Sequence, residues 1–152
     1  MAPQDCACEG RSAPKFVFYE TTFIDLKNTL EDCFSFLGAS SLMYLIGKGC
    51  GLRFYRRLKN SPTSDYLKTF VDYKREEGWG EFRFELGDGH GKIYLRGGFE
   101  SRGSISNGVP VCNFTKGFIE GFLSGVFRKN LKLREAACTA KGDPECIFEI
   151  LV

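Results

Sequence analysis

Histidine and tryptophan are nearly absent from this chain, which has one of each, His90 and Trp79, among 152 residues. With a single imidazole, a metal site that is built on cysteine must be completed by further cysteine or by a carboxylate. Long apolar runs are absent as well: no stretch approaches about 18 uninterrupted apolar residues, which excludes a transmembrane helix. Residues 1–14 lack the apolar segment of a secretory signal, so we expect a cytoplasmic protein without a membrane span.

An excess of charge of one sign is also missing. The chain has 21 basic and 19 acidic side chains, and its net charge is +2. Contact with a phosphate backbone requires a basic excess, so nonspecific nucleic-acid binding is excluded as the main role. Hydrophobic residues make up 43% of the sequence, which is the globular norm. We expect residues 1–14 to form a flexible N-terminal tail and residues 15–152 to form a single domain.

Two residue types are abundant instead: the chain has 15 phenylalanines and 7 cysteines. Disulfide frameworks are rare in cytoplasmic proteins, so these cysteines indicate buried thiols, a metal site or both. The phenylalanines supply an apolar interior, either as core filling or as the lining of a ligand pocket.

Apolar spacing predicts three helices in the first half of the chain, after a short strand at residues 15–20. The first helix ends at Gly38, the second spans residues 40–59, and the third follows Pro62 and ends at Gly78. One apolar face of the first helix is formed by Phe23, Leu26, Leu30, Phe34 and Leu37.

Two glycine patterns fall inside predicted helices. Residues 47–51 read Gly-Lys-Gly-Cys-Gly, but their spacing does not fit a phosphate-binding loop and predicts close helix packing instead. In a fourth helix, at residues 111–130, Gly117, Gly121 and Gly125 form a stripe. Glycine costs about 1 kcal/mol in a helix interior, so something must approach this stripe closely. A neighbouring helix or the sheet is the favoured interpretation, and a ligand is the alternative.

The strands are predicted from apolar residues that alternate with polar ones. Residues 81–96 form a hairpin around a glycine-rich turn, and we expect His90 to be exposed at its tip rather than catalytic. Residues 131–139 and 145–152 form a second hairpin. The fold class is therefore α+β, with an antiparallel sheet of two hairpins packed by about four helices.

The last hairpin brings two cysteines together. With a turn at residues 141–144, Cys138 and Cys146 are neighbours on the sheet. Two such thiols can oxidise, pack as small apolar groups or hold a metal ion, and their spacing alone leaves these alternatives open.

These cysteines belong to a longer motif. It consists of Cys112, then Glu135-x-x-Cys138, a Gly142-Asp143-Pro144 turn, and Cys146-Ile-Phe. This pattern resembles the 4-vinyl reductase (4VR) domain family. The upstream Leu-Gly-Ala-Ser at residues 37–40 and the glycine-bearing helix also fit, so the resemblance covers roughly residues 20–152.

The resemblance implies a ligand-binding fold related to heme-based nitric-oxide sensor domains and to subunits of the transport particle (TRAPP). In aromatic-sensing members, a Zn²⁺ ion is held by three cysteines and a glutamate. The residues implied here are Cys112, Glu135, Cys138 and Cys146, and four protein ligands make the zinc structural. A heme role does not carry over, because His90 lies on a turn.

We therefore expect a sensor-type binding domain for a small hydrophobic or aromatic ligand rather than an enzyme, and we expect it to form a homodimer. The expected pocket residues are Trp79, Phe99, Phe118 and Phe122. One alternative is an accessory subunit of a vinyl-group reductase, because no dinucleotide, flavin or iron–sulfur motif is present for catalysis. Another is a TRAPP-like assembly platform that holds a lipid chain. No ATPase or DNA-binding domain is recognised, so we do not expect a complete transcription activator.

Overall fold

The computed structural model describes residues 18–87, 90–104 and 108–151. The helices are α1 (Glu20–Lys59), α2 (Tyr66–Glu76), α3 (Phe99–Arg102) and α4 (Asn113–Phe127), and a 3-10 turn spans Thr139–Lys141. The strands are β1 (Glu81–Gly87), β2 (His90–Arg96), β3 (Lys132–Ala137) and β4 (Cys146–Leu151). The predicted tail at residues 1–14 lies outside the described residues.

All four strands form one antiparallel sheet in the order β1-β2-β4-β3. The two hairpins, β1-β2 and β3-β4, are those that the alternation predicts, and they join through β2 and β4. Alternate residues such as Phe82, Ile93, Leu95 and Phe148 are buried on the face that packs against the helices. The α+β prediction is confirmed.

The first two predicted helices are a single element. Helix α1 runs for 40 residues, and its only non-helical residue is Ser35, with φ 64° and ψ 164°. The prediction that Gly38 ends a helix is therefore wrong: the backbone bends three residues earlier and then continues. The predicted strand at residues 15–20 is also wrong in its described part, because Phe18 and Tyr19 are irregular and Glu20 begins α1. Its residues 15–17 lie outside the described part of the chain.

Other boundaries differ for local reasons. Helix α2 begins at Tyr66 rather than near Pro62, because the Asp65 side chain caps it and accepts a hydrogen bond from the Lys68 amide at 2.9 Å. Helix α4 ends at Phe127 because Arg128 adopts a left-handed conformation, with φ 53°. The four-residue α3 was not predicted, since so short a helix has no periodicity to detect.

Glycine decides how α1 and α4 pack together. A Cβ atom added to Gly117 or Gly121 would overlap the backbone carbonyls of Tyr44 or Lys48 on α1. The reverse holds on α1, where a Cβ at Gly47 or Gly51 would overlap the carbonyls of Phe114 or Phe118. The helix-packing interpretation is therefore confirmed for both glycine patterns, with Gly125 packed against the ring of Tyr55.

This packing reverses the expected orientation of α1. Its buried residues are mostly small or follow the glycines: Phe23, Lys27, Ala39, Met43, Gly47, Gly51, Phe54 and Leu58. The predicted apolar face is wrong beyond Phe23, since Leu37 is 76% exposed and Leu26 and Phe34 are exposed as well. Large apolar side chains on α1 therefore point away from the core. No helix among the described residues combines the length and the apolar character that membrane crossing requires.

Candidate metal centre and aromatic core

Four side chains from the C-terminal half meet at one buried point. Cys112 immediately precedes α4, Glu135 lies on β3, Cys138 follows β3, and Cys146 is the first residue of β4. Their donor atoms, three sulfurs and one carboxylate oxygen, all lie within 4.8 Å of one another. The structure therefore brings together the four residues that the sequence resemblance implies, in a cluster that could bind a metal ion.

The sulfur spacing distinguishes between the open alternatives. The Cys112 sulfur lies 3.9 Å from the Cys138 sulfur and 3.7 Å from the Cys146 sulfur. A disulfide requires about 2.05 Å, so these thiols are not bonded to each other. Two sulfurs at about 2.3 Å from a tetrahedral ion lie about 3.8 Å apart, which is the observed separation.

A β-bulge places Glu135 and Cys138 on the same side. Residues three apart on a regular strand point to opposite faces, so the sequence predicts an irregularity at residues 136–137. The register between β3 and β4 shifts there: Glu135 pairs with Phe148, whereas Ala137 pairs with Ile147. The prediction is confirmed.

Glu135 is unusual among the buried polar groups. One carboxylate oxygen accepts a hydrogen bond from the Cys112 amide at 3.1 Å. The other oxygen is buried and has no hydrogen-bond partner among the described residues. Burial raises the pKa of this carboxyl to about 7. An unpartnered buried oxygen beside three sulfurs is the arrangement that a bound cation would satisfy.

The three thiols are not equivalent. Hydrogen bonding to the sulfurs of Cys138 and Cys146, together with burial, raises the pKa of Cys112. Hydrogen bonds from Cys112 and Cys138 lower the pKa of Cys146. The protons that these groups share are those that a divalent cation replaces when it binds a thiolate cluster.

Groups around the cluster hold the final turn in place, and sequence reasoning did not assign them this role. The Cys138 amide donates to the Asp143 carboxylate at 2.8 Å, and Gly142 takes a left-handed φ of 98°. The Cys146 sulfur accepts from the Thr139 amide at 3.4 Å and lies 3.6 Å from the Ser101 hydroxyl. The Gly-Asp turn of the motif thus fixes two of the cysteines.

Glu100, on the unpredicted helix α3, is a second residue that the sequence did not reveal. Its side chain is fully buried and accepts hydrogen bonds from the amides of Phe114 and Thr115 at 3.0 and 2.8 Å. Burial raises the pKa of this carboxyl. Glu100 satisfies free amides in the first turn of α4 and so positions the helix that follows Cys112.

The predicted pocket residues lie in an aromatic core. Trp79 contacts Phe99 and Phe118, with ring centroids 5.0 and 4.7 Å apart. Phe122 joins this group through Phe54, whose ring lies 5.9 Å from Phe122 and 5.7 Å from Phe118. These rings touch one another, so a ligand must displace or reorient side chains to enter. Their role as a pocket wall stays a prediction. His90 is exposed at the start of β2, as expected.

Residues 96–152 match the family model of the 4-vinyl reductase (4VR) domain. The sequence is also 24% identical, over 141 residues, to the uncharacterized protein MJ1642 of Methanocaldococcus jannaschii, covering 93% of this chain and 79% of that protein. The resemblance that the cysteine motif indicates is therefore confirmed, and the matched region contains all four residues of the metal cluster.

Solved structures share the fold. The phenol-responsive sensory domain of the transcription activator PoxR, determined with phenol, is 22% identical with a TM-score of 0.75, covering 90% of this chain and 76% of that one. A vinyl-4-reductase family protein from M. jannaschii has a TM-score of 0.66 at 17% identity, covering 91% and 83%. An H-NOX protein from S. oneidensis has a TM-score of 0.63 at 9% identity, covering 95% and 81%. The predicted kinship with heme-based sensor folds is confirmed at the level of architecture.

Proposed function

We propose that this chain is a sensor-type domain that binds a small hydrophobic or aromatic ligand and carries a structural zinc ion. The observation that carries the proposal is the buried cluster of three sulfurs and one carboxylate, with all donor atoms within 4.8 Å. The likeness to the sensory domain of PoxR, which was determined with phenol, supports the ligand class.

The donor set favours zinc over other common ions. Thiolates are soft ligands, and a tetrahedral site rich in sulfur is typical of Zn²⁺. Calcium and magnesium prefer oxygen ligands, of which this cluster offers one residue, Glu135. Four protein ligands leave no open coordination position for water, so the ion would stabilise the structure rather than act in catalysis.

The ion would join parts of the fold that otherwise meet by packing alone. Cys112 leads directly into α4, whereas Glu135, Cys138 and Cys146 belong to the final hairpin. The same helix carries Phe118 and Phe122 into the aromatic core. Zinc at this point would therefore hold the helix that positions two of the proposed pocket residues.

The ligand proposal is tested by calorimetric titration of the full chain with phenol and with 1-naphthalenemethanol. Replacing Phe118 with leucine should weaken binding by about 1 kcal/mol, roughly fivefold, because a ring contact is lost. The control is Phe127→Leu on the same helix, where the ring is exposed and binding should not change. If neither probe binds the wild-type chain, the ligand proposal is wrong.

The exposed apolar surface of α1 supports the predicted homodimer. Leu42, Leu45 and Ile46 are all exposed, and their i, i+3, i+4 spacing puts them on one helix face. Contiguous exposed apolar side chains on a folded domain mark an interaction surface. A two-fold contact between two copies of α1 would bury these three side chains against their equivalents.

Replacing Leu45 with glutamate should convert the dimer to a monomer, because the two-fold axis would place two charges in the apolar contact. Leu45 is 60% exposed, so the monomer itself should keep its melting temperature. Leu151→Glu, at an exposed position on β4, is the control and should remain dimeric. Light scattering at tens of micromolar measures the mass; a monomeric wild-type chain would contradict the dimer.

A further inference from the structure

Lys74 places an ammonium group inside the aromatic core. Only 4% of its side chain is exposed, although it lies near the end of α2. Its nitrogen lies 4.0 Å from the ring centroid of Trp79, 4.4 Å from that of Phe118 and 4.6 Å from that of Phe54. Three rings from three separate segments therefore form a box around one positive charge.

The charge in this box has a single anionic partner among the described residues. Glu77, which is 44% exposed, contacts the ammonium at 2.6 Å. An ammonium group has three N–H donors, so two of them face only ring surfaces, which attract a cation but accept hydrogen bonds poorly. Burial lowers the pKa of Lys74, and the nearby Arg57 acts in the same direction. A second anion near this group would compensate a desolvated positive charge.

The box has an accessible side. Trp79 is half-buried, and it follows Gly78, an exposed residue with φ 77°. Glu77 borders the same side and is free to turn into solvent, because its side chain is largely exposed. A ligand that enters here would meet ring faces along its body and the ammonium group at its head.

Resting on the proposed function, we propose that the Lys74 box selects an aromatic ligand that bears an anionic group, such as an aryl carboxylate or a phenolate. The anion replaces Glu77 as the partner of the Lys74 ammonium. The apolar body of the ligand packs against Trp79 and Phe118. The ligand class is thus narrower than hydrophobic: it is aromatic and acidic.

The test compares two probes that share one ring system, 1-naphthoate and the neutral 1-naphthalenemethanol, by calorimetric titration of the full chain. Wild type should bind the carboxylate more tightly than the alcohol. Lys74→Met, which keeps the length of the side chain, should weaken carboxylate binding roughly tenfold, because a charged hydrogen bond is lost, and should leave alcohol binding unchanged. Lys68→Met, at an exposed lysine on the same helix, is the control and should change neither affinity.

A second variant keeps the test decisive if Lys74→Met fails to fold. Glu77→Gln removes the competing carboxylate and should strengthen carboxylate binding severalfold, which a purely structural role for the ion pair would not produce. If the alcohol binds but neither variant changes the carboxylate-to-alcohol ratio, the inference is wrong and the proposed function stands. If neither probe binds the wild-type chain, the proposed function fails, and the inference fails with it.

Discussion

Replacing Cys146 with serine should release the zinc ion and lower the stability of the C-terminal hairpin. The serine hydroxyl is a poor zinc ligand, and the loss leaves the buried Glu135 carboxylate without a cation. Breaking a buried charge contact typically costs about 3 kcal/mol or more. In a chain of this size, such a loss lowers the melting temperature by roughly 6–12 °C.

The variant should remain largely helical, because α1 and α2 contribute no ligand to the cluster. Affinity for an aromatic ligand should fall as well, since α4 carries Phe118 and Phe122. Metal content and the melting temperature are the measurements. Cys33→Ser, at an exposed cysteine on α1, is the matched control and should keep both values of the wild type. Equal melting temperatures for wild type and Cys146→Ser would contradict the stabilising role.

Replacing Gly121 with alanine should destabilise the protein, although alanine is the better helix former by about 1 kcal/mol. The new methyl group would overlap the Lys48 carbonyl and lie 3.0 Å from the Leu52 amide nitrogen. Both contacts are backbone atoms of α1, so the two helices must move apart. We expect a net loss of about 1–3 kcal/mol in the free energy of unfolding.

Gly49→Ala separates helix propensity from helix packing. This glycine also lies inside α1, but its added methyl group would meet only the end of the flexible Arg53 side chain, at 2.9 Å. Alanine should therefore stabilise the protein here, by up to about 1 kcal/mol. Urea denaturation gives both free energies. If Gly121→Ala stabilises the protein as Gly49→Ala does, the close contact between α1 and α4 is wrong.

Local patterns revealed the sheet and the metal cluster in advance. The alternation in β1 and β2 identifies a hairpin, and the turn between Cys138 and Cys146 fixes their proximity. The bulge at Ala136 follows from chemistry, because Glu135 and Cys138 cannot face one ion from a regular strand. In each case, the determining residues are close in sequence.

The orientation of α1 could not be predicted in the same way. Periodicity assigns large apolar residues to the core, but Gly47 and Gly51 bring the α4 backbone onto the opposite face and leave residues such as Leu45 exposed. The Lys74 box was equally hidden, since its rings come from α1, α4 and the segment after α2. Contacts between distant segments decide both features, and a single sequence gives no local sign of them.

Zinc X-ray absorption of protein purified without chelators tests the central claim most directly. The account predicts one zinc ion per chain, with three sulfur ligands at about 2.3 Å and one oxygen or nitrogen-type ligand at about 2.0–2.2 Å, the oxygen being that of Glu135. Cys33 and Cys50 are not part of the cluster, so the number of sulfur ligands reports on Cys112, Cys138 and Cys146. A metal-free protein, or a zinc ion without a sulfur-rich shell, would contradict the account.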